Sequence, residues 1–218
     1  MSLPSHETLT RPRFLLPNRS NRAIFDCRRP FCMNIFVYHT IAWICALYHP
    51  DKHVVKMLLE YAQLLSTSHR VLDGTQTAEL SKTGRKMKRW RLADAKADGL
   101  LYSATHVNHP CAVWVRQSKA NYEWLAQLLV EVSKEYTHRY SKVHKCQLIG
   151  LVDFLVSNAP ANIPEGDRTP FALAMPDECK VPGDAVGSYH RYFNERKQKL
   201  AAWKKRATPD WFAAAAAV

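Results

Sequence analysis

Residues 51–67, DKHVVKMLLEYAQLLST, decide the fold of the surrounding chain. On an α-helix, side chains that recur at spacings of three and four residues share one narrow face. Polar residues occupy such a face here, and we call it the polar seam: His53, Lys56, Glu60, Gln63 and Thr67. Nearly all other positions are apolar, whereas a surface helix normally carries only a minority apolar stripe. The sequence therefore predicts a buried helix whose polar seam lines a cleft or a hydrogen-bonded core channel.

The polar seam carries an imidazole, an amine and a carboxylate, at His53, Lys56 and Glu60. Burying charged groups is costly unless they are paired or wetted, so these residues form a candidate catalytic site. A carboxylate held against an apolar wall has its pKa raised and can serve as a general acid or base. A desolvated lysine can act as an amine nucleophile. The alternative is a surface i,i+4 ion pair between Lys56 and Glu60 without a catalytic role.

The composition indicates a globular protein of 218 residues, with 47% hydrophobic and 11% aromatic residues. Its longest apolar run, residues 36–47, is shorter than the roughly 20 residues of a membrane span, so we expect no membrane association. The six cysteines include no CxxC pair, which suggests reduced thiols in an intracellular, cytoplasmic protein. Because no metal-binding motif is present, we expect neither a metal nor another cofactor.

The formal net charge is +12, and the basic residues concentrate in two segments, 82–96 and 191–206. Lys and Arg interleaved with aromatic residues suit a phosphate backbone with bases nearby. We therefore expect double-stranded DNA as the partner, bound through its phosphates; the alternative is a solvated basic face. The predicted DNA-binding residues are cations of these segments and two from the region between them: Arg116, Lys86, Lys88, Arg89, Arg91, Arg139, Arg191, Lys204 and Lys205.

Three regions are distinguished by composition. Residues 1–32 are rich in Arg, Pro and Ser, contain no Lys and show no periodicity, which predicts a loosely ordered leader. This leader could be a transit peptide, a basic arm or an extension upstream of Met33. Residues 33–212 are predicted to form one mainly α domain with a short N-terminal extended segment. A basic, irregular insertion is expected at 74–99, and residues 213–218 are a tail.

Local signals predict the elements of this domain. The central helix should end near Ser68, and His109 precedes Pro110, which suits the first position of a helix and a nearby anion site. Thr40, Ser118 and Asp184 are predicted helix N-caps. The predicted segments are a short strand or a buried extended segment at 33–38, and helices at 41–47, from 110, at 119–140, at 148–156 and at 185–206.

Several short motifs follow in a defined order. A short N-terminal segment precedes a helix with His53 and Glu60 seven residues apart. It is followed by NHP at 108–110, EYTHRYSK at 135–142, YHRYF at 189–193 and AAWKKRATPDWF at 201–212. This arrangement, over most of 33–212, resembles the phage pyrimidine-dimer DNA glycosylase/AP lyase family. The chain is also similar to uncharacterised phage proteins with DKHVVKM, NHPC, EYTHRY and MPDE motifs, which suggests a phage-encoded protein of a bacterial host.

The resemblance implies a compact helical enzyme that flips a nucleotide at a lesion, attacks the sugar C1′ with an amine and cleaves the strand by β-elimination. In that family the α-amine at the chain start is the nucleophile, and the carboxylate that matches Glu60 assists elimination. Here a leader precedes Met33, so the implied nucleophile is an amine freed by processing, or Lys56 or Lys52. We expect His53 and His109 to position the substrate.

Two other functions fit the same residues. One is a phage enzyme that installs or processes modified DNA bases on the same type of scaffold. The other is a non-enzymatic DNA-binding protein in which the polar seam is only a buried polar network.

Overall fold

The computed structural model describes residues 33–81 and 83–212. All of them belong to one compact unit. The mainly α prediction is confirmed, because this part of the chain contains eight α-helices and a single two-stranded antiparallel sheet. The predictions for the leader at 1–32 and the tail at 213–218 lie outside the described residues.

The helices and strands follow one another along the chain with short connections. They are α1 (Ala42–Tyr48), α2 (Asp51–Asp73), β1 (Thr75–Leu80), β2 (Lys86–Arg91), α3 (Ala95–Leu100), α4 (Pro110–Val115), α5 (Lys119–Tyr140), α6 (Lys145–Leu148), α7 (Leu151–Ser157) and, after a longer loop, α8 (Ala185–Arg196). Two short 3-10 turns follow α7 and α8, at Asp177–Cys179 and Gln198–Leu200.

The core is built on α2 and α5, the two longest helices, which pack against each other. Fourteen of the 23 residues of α2 are buried, since it also contacts α4 and α7. The helix is not apolar and buried on every side, however: Val55 and Leu59 are 43% and 40% exposed. The predicted buried helix is thus confirmed for most of its circumference, and one side faces solvent.

The segment at 33–38 is buried throughout and forms no strand, so the strand alternative is wrong. Its backbone is instead bonded to side chains of two helices. The Phe36 N–H donates to the Tyr61 hydroxyl of α2 at 3.3 Å, and the Tyr38 carbonyl lies 3.0 Å from Nε2 of His190 in α8. This segment therefore lies between α2 and α8.

Most predicted helix starts are confirmed. Pro110 opens α4, and α5 has the predicted bounds, with the Ser118 hydroxyl accepting from the Asn121 N–H at 3.2 Å. The Asp184 carboxylate caps α8 in the same way. The prediction for Thr40 is wrong, because the N-cap of α1 is Ile41.

Several predicted helix bounds are wrong. Helix α2 continues to Asp73, and its last turns are held by tertiary bonds, such as that between Nε2 of His69 and the Tyr122 hydroxyl at 2.9 Å. The helix predicted at 148–156 begins later than expected: α6 ends at Leu148, and α7 begins at Leu151, after Gly150, whose φ is 75°. Helix α8 ends at Arg196 rather than at residue 206. The chain beyond it turns back onto the body.

The insertion at 74–99 is not irregular, so that prediction is wrong. It contains β1, β2 and α3. The two strands pair antiparallel from Thr75 opposite Arg91 to Leu80 opposite Lys86, and we call residues 75–91 the hairpin. A 2.8 Å bond from the Ser81 N–H to the Arg85 carbonyl closes the turn.

Candidate functional site

Glu60 is the central group of the site. Only 6% of the residue is exposed, and Oε1 lies 3.0 Å from the ammonium nitrogen of Lys56, whose side chain is 46% exposed. Burial raises the pKa of Glu60, while Lys56 and the Asn34 backbone N–H oppose the shift by stabilising the charged form. Within the described part of the chain, Oε2 of Glu60 has no hydrogen-bond partner. Glu60 therefore combines a raised pKa, a neighbouring amine and an oxygen that can accept or donate a proton.

The loop that precedes α4 is fixed to the polar seam by Thr67. The Thr67 hydroxyl donates to the Thr105 carbonyl at 3.4 Å and accepts from the Thr105 N–H at 3.2 Å. These bonds hold the next residue, His106, in a left-handed conformation with φ of 48°. His106 is exposed, and its charge opposes the rise that burial causes in the pKa of Glu60. Lys56 and His106 thus both favour the charged form of the Glu60 carboxyl.

His109 acts as a helix cap in this structure. Its Nδ1 accepts from the Cys111 N–H at 3.2 Å, at the start of α4, and the residue is 8% exposed. Burial, followed by the charge of His106, lowers the pKa of His109 and favours the neutral ring. The structure thus places His109 beside His106, with one ring nitrogen engaged by the backbone.

His53 lies in an aromatic cluster instead of with Glu60. Its Nδ1 is 3.2 Å from the Tyr38 hydroxyl, and its ring centroid is 4.1 Å from that of Phe36. Burial lowers the pKa of His53 well below its usual value, with a further contribution from His49. The seven-residue separation from Glu60 corresponds to about 10 Å along the helix. The structure therefore does not bring the two predicted catalytic residues together.

A second buried imidazole adjoins this cluster. Nδ1 of His49 lies 2.7 Å from the Cys45 carbonyl, which can only accept, so Nε2 of the neutral ring accepts from the Tyr61 hydroxyl at 2.8 Å. Burial lowers the pKa of His49 to about 4. The Tyr61 hydroxyl also accepts from the Phe36 N–H. These bonds form a satisfied core network beside His53 of the polar seam, although neither His49 nor Tyr61 belongs to the seam itself.

The predicted DNA-binding residues of the hairpin lie on β2. Lys86 and Lys88 are exposed, and Arg89 is half-buried. Arg91 is exposed but is paired with Glu79 at 2.8 Å and with Asp98 at 3.4 Å. The two lysines are therefore the accessible cations of this strand.

The other predicted DNA contacts divide into engaged and accessible side chains. Arg116 is half-buried and donates to the Ala112 carbonyl at 2.9 Å. Lys205 donates to a backbone carbonyl of α5, at His138, over 2.8 Å. Arg191 is 48% exposed, and Lys204 is also exposed.

The prediction that Arg139 binds DNA is wrong. Its side chain has no exposed area, and its guanidinium pairs with Glu135 and Asp51, each at 3.0 Å. It also donates to the carbonyls of His49 and Leu47, at 2.8 and 3.0 Å. Arg139 is a structural residue, because all of these bonds face inward and none is available to a phosphate.

Two residues of the site, His106 and Asn34, were not among the predicted site residues. The polar stretch before Pro110 includes His106, but only its positive φ and its position near Glu60 distinguish it. Asn34 is fixed by its side chain, whose Oδ1 accepts from the Tyr189 hydroxyl at 2.8 Å. The sequence marks Asn34 only as the residue after Met33, and its contact with Glu60 depends on the fold.

Comparisons of the chain with protein-family models, with curated proteins and with solved structures return no match. In residues 33–81 and 83–212, no group of three or more His, Cys, Asp or Glu side chains is arranged to hold a metal ion. None of the helices in these ranges has the length and apolar content of a membrane span. Fold and site together define a mainly α protein with a buried carboxyl paired to a half-exposed amine, and with a basic hairpin.

Proposed function

We propose that the protein is a DNA N-glycosylase/AP lyase-like enzyme that acts on damaged or modified bases, with Glu60 as its acid–base group. The supporting observation is the environment of Glu60: a buried carboxyl with a raised pKa, next to the Lys56 amine. Burying such a carboxyl opposes folding, because burial disfavours its charged form. A catalytic role for Glu60 accounts for a buried carboxyl that the stability of the fold does not require.

The reaction requires an amine that attacks C1′ of the sugar and a group that moves protons. The amine bonds to C1′ and breaks the bond from C1′ to the base, which leaves with a proton. The C1′–O4′ bond then opens, and a proton moves from the amine nitrogen to O4′ to give a Schiff base. Loss of a C2′ proton finally expels the 3′-phosphate by β-elimination. Glu60 is suited to protonate the departing base and to accept the C2′ proton. Lys56 is one source of the amine, because it lies 3.0 Å from Glu60, which can take its proton.

The backbone nitrogen of Asn34 is a second source of the amine. It stabilises the Glu60 carboxylate in the intact chain. A chain that begins at Asn34 would place its α-amine at this position, as the resemblance to the glycosylase/lyase family implies. Both sources use the same carboxylate, so Glu60 is the group to test first.

The test is borohydride trapping on a DNA duplex with one abasic site, using the wild type, Glu60→Gln and Glu131→Gln. Glu131 is the matched control, because it also forms a helical ion pair, with Lys134 at 2.8 Å. We expect a covalent adduct with the wild type and with Glu131→Gln. Glu60→Gln should form it at least 100-fold more slowly, as is typical when a general acid–base group is removed. Peptide mapping of the adduct then identifies the amine.

A non-enzymatic DNA-binding protein is the second candidate function. It is favoured by the bond between His53 of the polar seam and the buried Tyr38 hydroxyl, and by the ordinary i,i+4 geometry of the Lys56–Glu60 pair. The same experiment decides between the two. Wild-type protein that forms no adduct, and releases no base from irradiated or modified DNA, would exclude the glycosylase/lyase proposal and leave DNA binding.

A further inference from the structure

We propose that the hairpin is a two-stranded ribbon that inserts into the major groove of double-stranded DNA, with its lysines on the phosphates. This inference deepens the proposed function and rests on it, because it names the element that would hold the duplex for Glu60. The hairpin begins at the C-terminal end of α2, thirteen residues beyond Glu60, which is about 20 Å along the helix.

The base of the hairpin is anchored to the body. Arg70, 4% exposed, donates to the Trp90 carbonyl at 3.0 Å and forms a salt bridge with Asp98. Asp98 in turn accepts from the Leu92 N–H at 3.0 Å, directly after β2. An isolated two-stranded hairpin is marginally stable in water, so these bonds explain why this one is ordered. The ribbon is thus held at its base, and its turn lies at the far end.

The two faces of the hairpin differ. In an antiparallel pair, residues directly opposite each other project to the same side. One face, which we call the lysine face, combines Lys86 and Lys88 with Leu80 and Ala78 opposite them, and all four are exposed. The other face carries the paired Arg91. Among the described residues, no salt bridge involves either lysine of the lysine face.

The charge of the hairpin suits a polyanion. Its described residues include five cations, at positions 85, 86, 88, 89 and 91, and a single acid, Glu79. Glu79 and Asp98 together offset Arg91. The remaining cations have no acidic partner within these residues, so an external anion is the group that would neutralise them.

The shape of the hairpin favours duplex DNA over other nucleic acids. Two six-residue strands make a ribbon about 20 Å long, and the major groove of B-DNA, about 12 Å wide, admits a two-stranded ribbon. The corresponding groove of duplex RNA is deep and narrow. A single strand would require exposed aromatic rings for stacking. The single aromatic residue of the described hairpin, Trp90, is half-buried at its base.

The test measures the affinity of the full chain for a DNA duplex as a function of salt, for the wild type, Lys86→Ala/Lys88→Ala and Lys142→Ala/Lys145→Ala. The second pair is the matched control, because both residues are exposed and the same charge is removed. Loss of two phosphate contacts should reduce the slope of log K against log salt by about 2 and weaken binding about 30-fold at 0.15 M salt. The control should bind within twofold of the wild type.

The groove is tested with modified duplexes and a competitor. Bulky glucosyl groups on cytosine C5 fill the major groove and should weaken wild-type binding at least tenfold, whereas netropsin, which fills the minor groove, should have little effect. The proposal that the hairpin enters the major groove is overturned if Lys86→Ala/Lys88→Ala binds duplex DNA as tightly as the wild type does. It is also overturned if netropsin weakens binding more than the glucosyl groups do, or if single-stranded DNA or RNA binds more tightly than duplex DNA.

Binding by Glu60→Gln separates the two proposals: a variant that binds normally but forms no adduct supports both. Wild-type protein that binds through the hairpin without any adduct overturns the catalytic proposal alone.

Discussion

Glu60 and His53 lie on the same helix but differ in what surrounds them. His53 is enclosed by aromatic rings and bonded to Tyr38, so its neutral form is satisfied in the core. Glu60 meets the exposed amine of Lys56 and the loop that carries His106. Burial lowers the pKa of His53 and so favours its neutral form, whereas burial raises the pKa of Glu60 towards neutrality. The carboxyl is therefore the better acid–base group of the two.

The raised pKa of Glu60 predicts the effect of Glu60→Gln on stability. We expect the variant to be at least as stable as the wild type at pH 7, because it removes a charge that burial disfavours. The lost ion pair should matter little, since Lys56 is half-exposed. The measurement is the free energy of unfolding in urea at pH 7 and pH 5.

The dependence on pH follows from the direction of the shift. The pKa of Glu60 in the folded protein lies above its unfolded value of about 4.5. As the pH falls, the native state therefore takes up a proton before the unfolded chain does. Any stability advantage of Glu60→Gln should therefore shrink between pH 7 and pH 5. Glu135→Gln is the opposite control: burial of Glu135 is outweighed by Arg206 and Arg139, which lower its pKa, so its loss should destabilise the protein. A Glu60→Gln variant less stable than Glu135→Gln would indicate a structural role for Glu60.

At the scale of elements, the helices could be predicted from sequence because their signals are local. Ser118 caps α5 with a side chain three residues from its partner, and Pro110 marks the start of α4. The hairpin could not be predicted from hydrophobic periodicity, because its strands carry basic and polar residues on both faces. Its order depends on Arg70, which is far from β2 in sequence.

The candidate site was predictable only where it lies on one helix. Spacing alone placed Lys56, Glu60 and Thr67 on a common face, and all three contribute to the site. The burial of His53 depends on Phe36 and Tyr38, which reach it from a different segment. Such long-range packing has no signature within the helix itself.

The anchor of the hairpin predicts that Asp98→Asn loosens it. The substitution leaves the buried guanidinium of Arg70 without its charged partner, and a hydrogen bond to a charged group contributes about 1.5–3 kcal/mol. Amide hydrogen exchange in peptides that cover residues 75–91 should accelerate about 10- to 100-fold, while that of α5 stays unchanged. Glu79→Gln is the control, because its pair with Arg91 is largely exposed. Equal exchange in both variants would show that Arg70 and Asp98 do not order the hairpin.

At the scale of the whole molecule, Arg139 connects three parts of the chain. It joins α5 to Asp51 at the start of α2 and to the carbonyls of Leu47 and His49 beside α1. The C-terminal region joins the same cluster through Arg206, which donates to Glu135 at 2.6 Å. The EYTHRYSK motif thus marks a structural junction, and the basic character of the chain is partly an internal feature.

This junction predicts a large loss of stability for Arg139→Met. The substitution keeps the length of the side chain but leaves buried acceptors without their donor, which typically costs about 3–5 kcal/mol when a buried ion pair is broken. Lys134→Met, five residues earlier on α5, is the control; it removes an exposed cation paired with Glu131 and should cost less than about 1 kcal/mol. Urea unfolding at pH 7 measures both. If Arg139→Met loses no more unfolding free energy than Lys134→Met, the cluster does not hold the helices together, and the buried charge of Arg139 needs another explanation.

DNA affinity measured on folded Arg139→Met should equal that of the wild type, because the guanidinium has no exposed area with which to reach a phosphate.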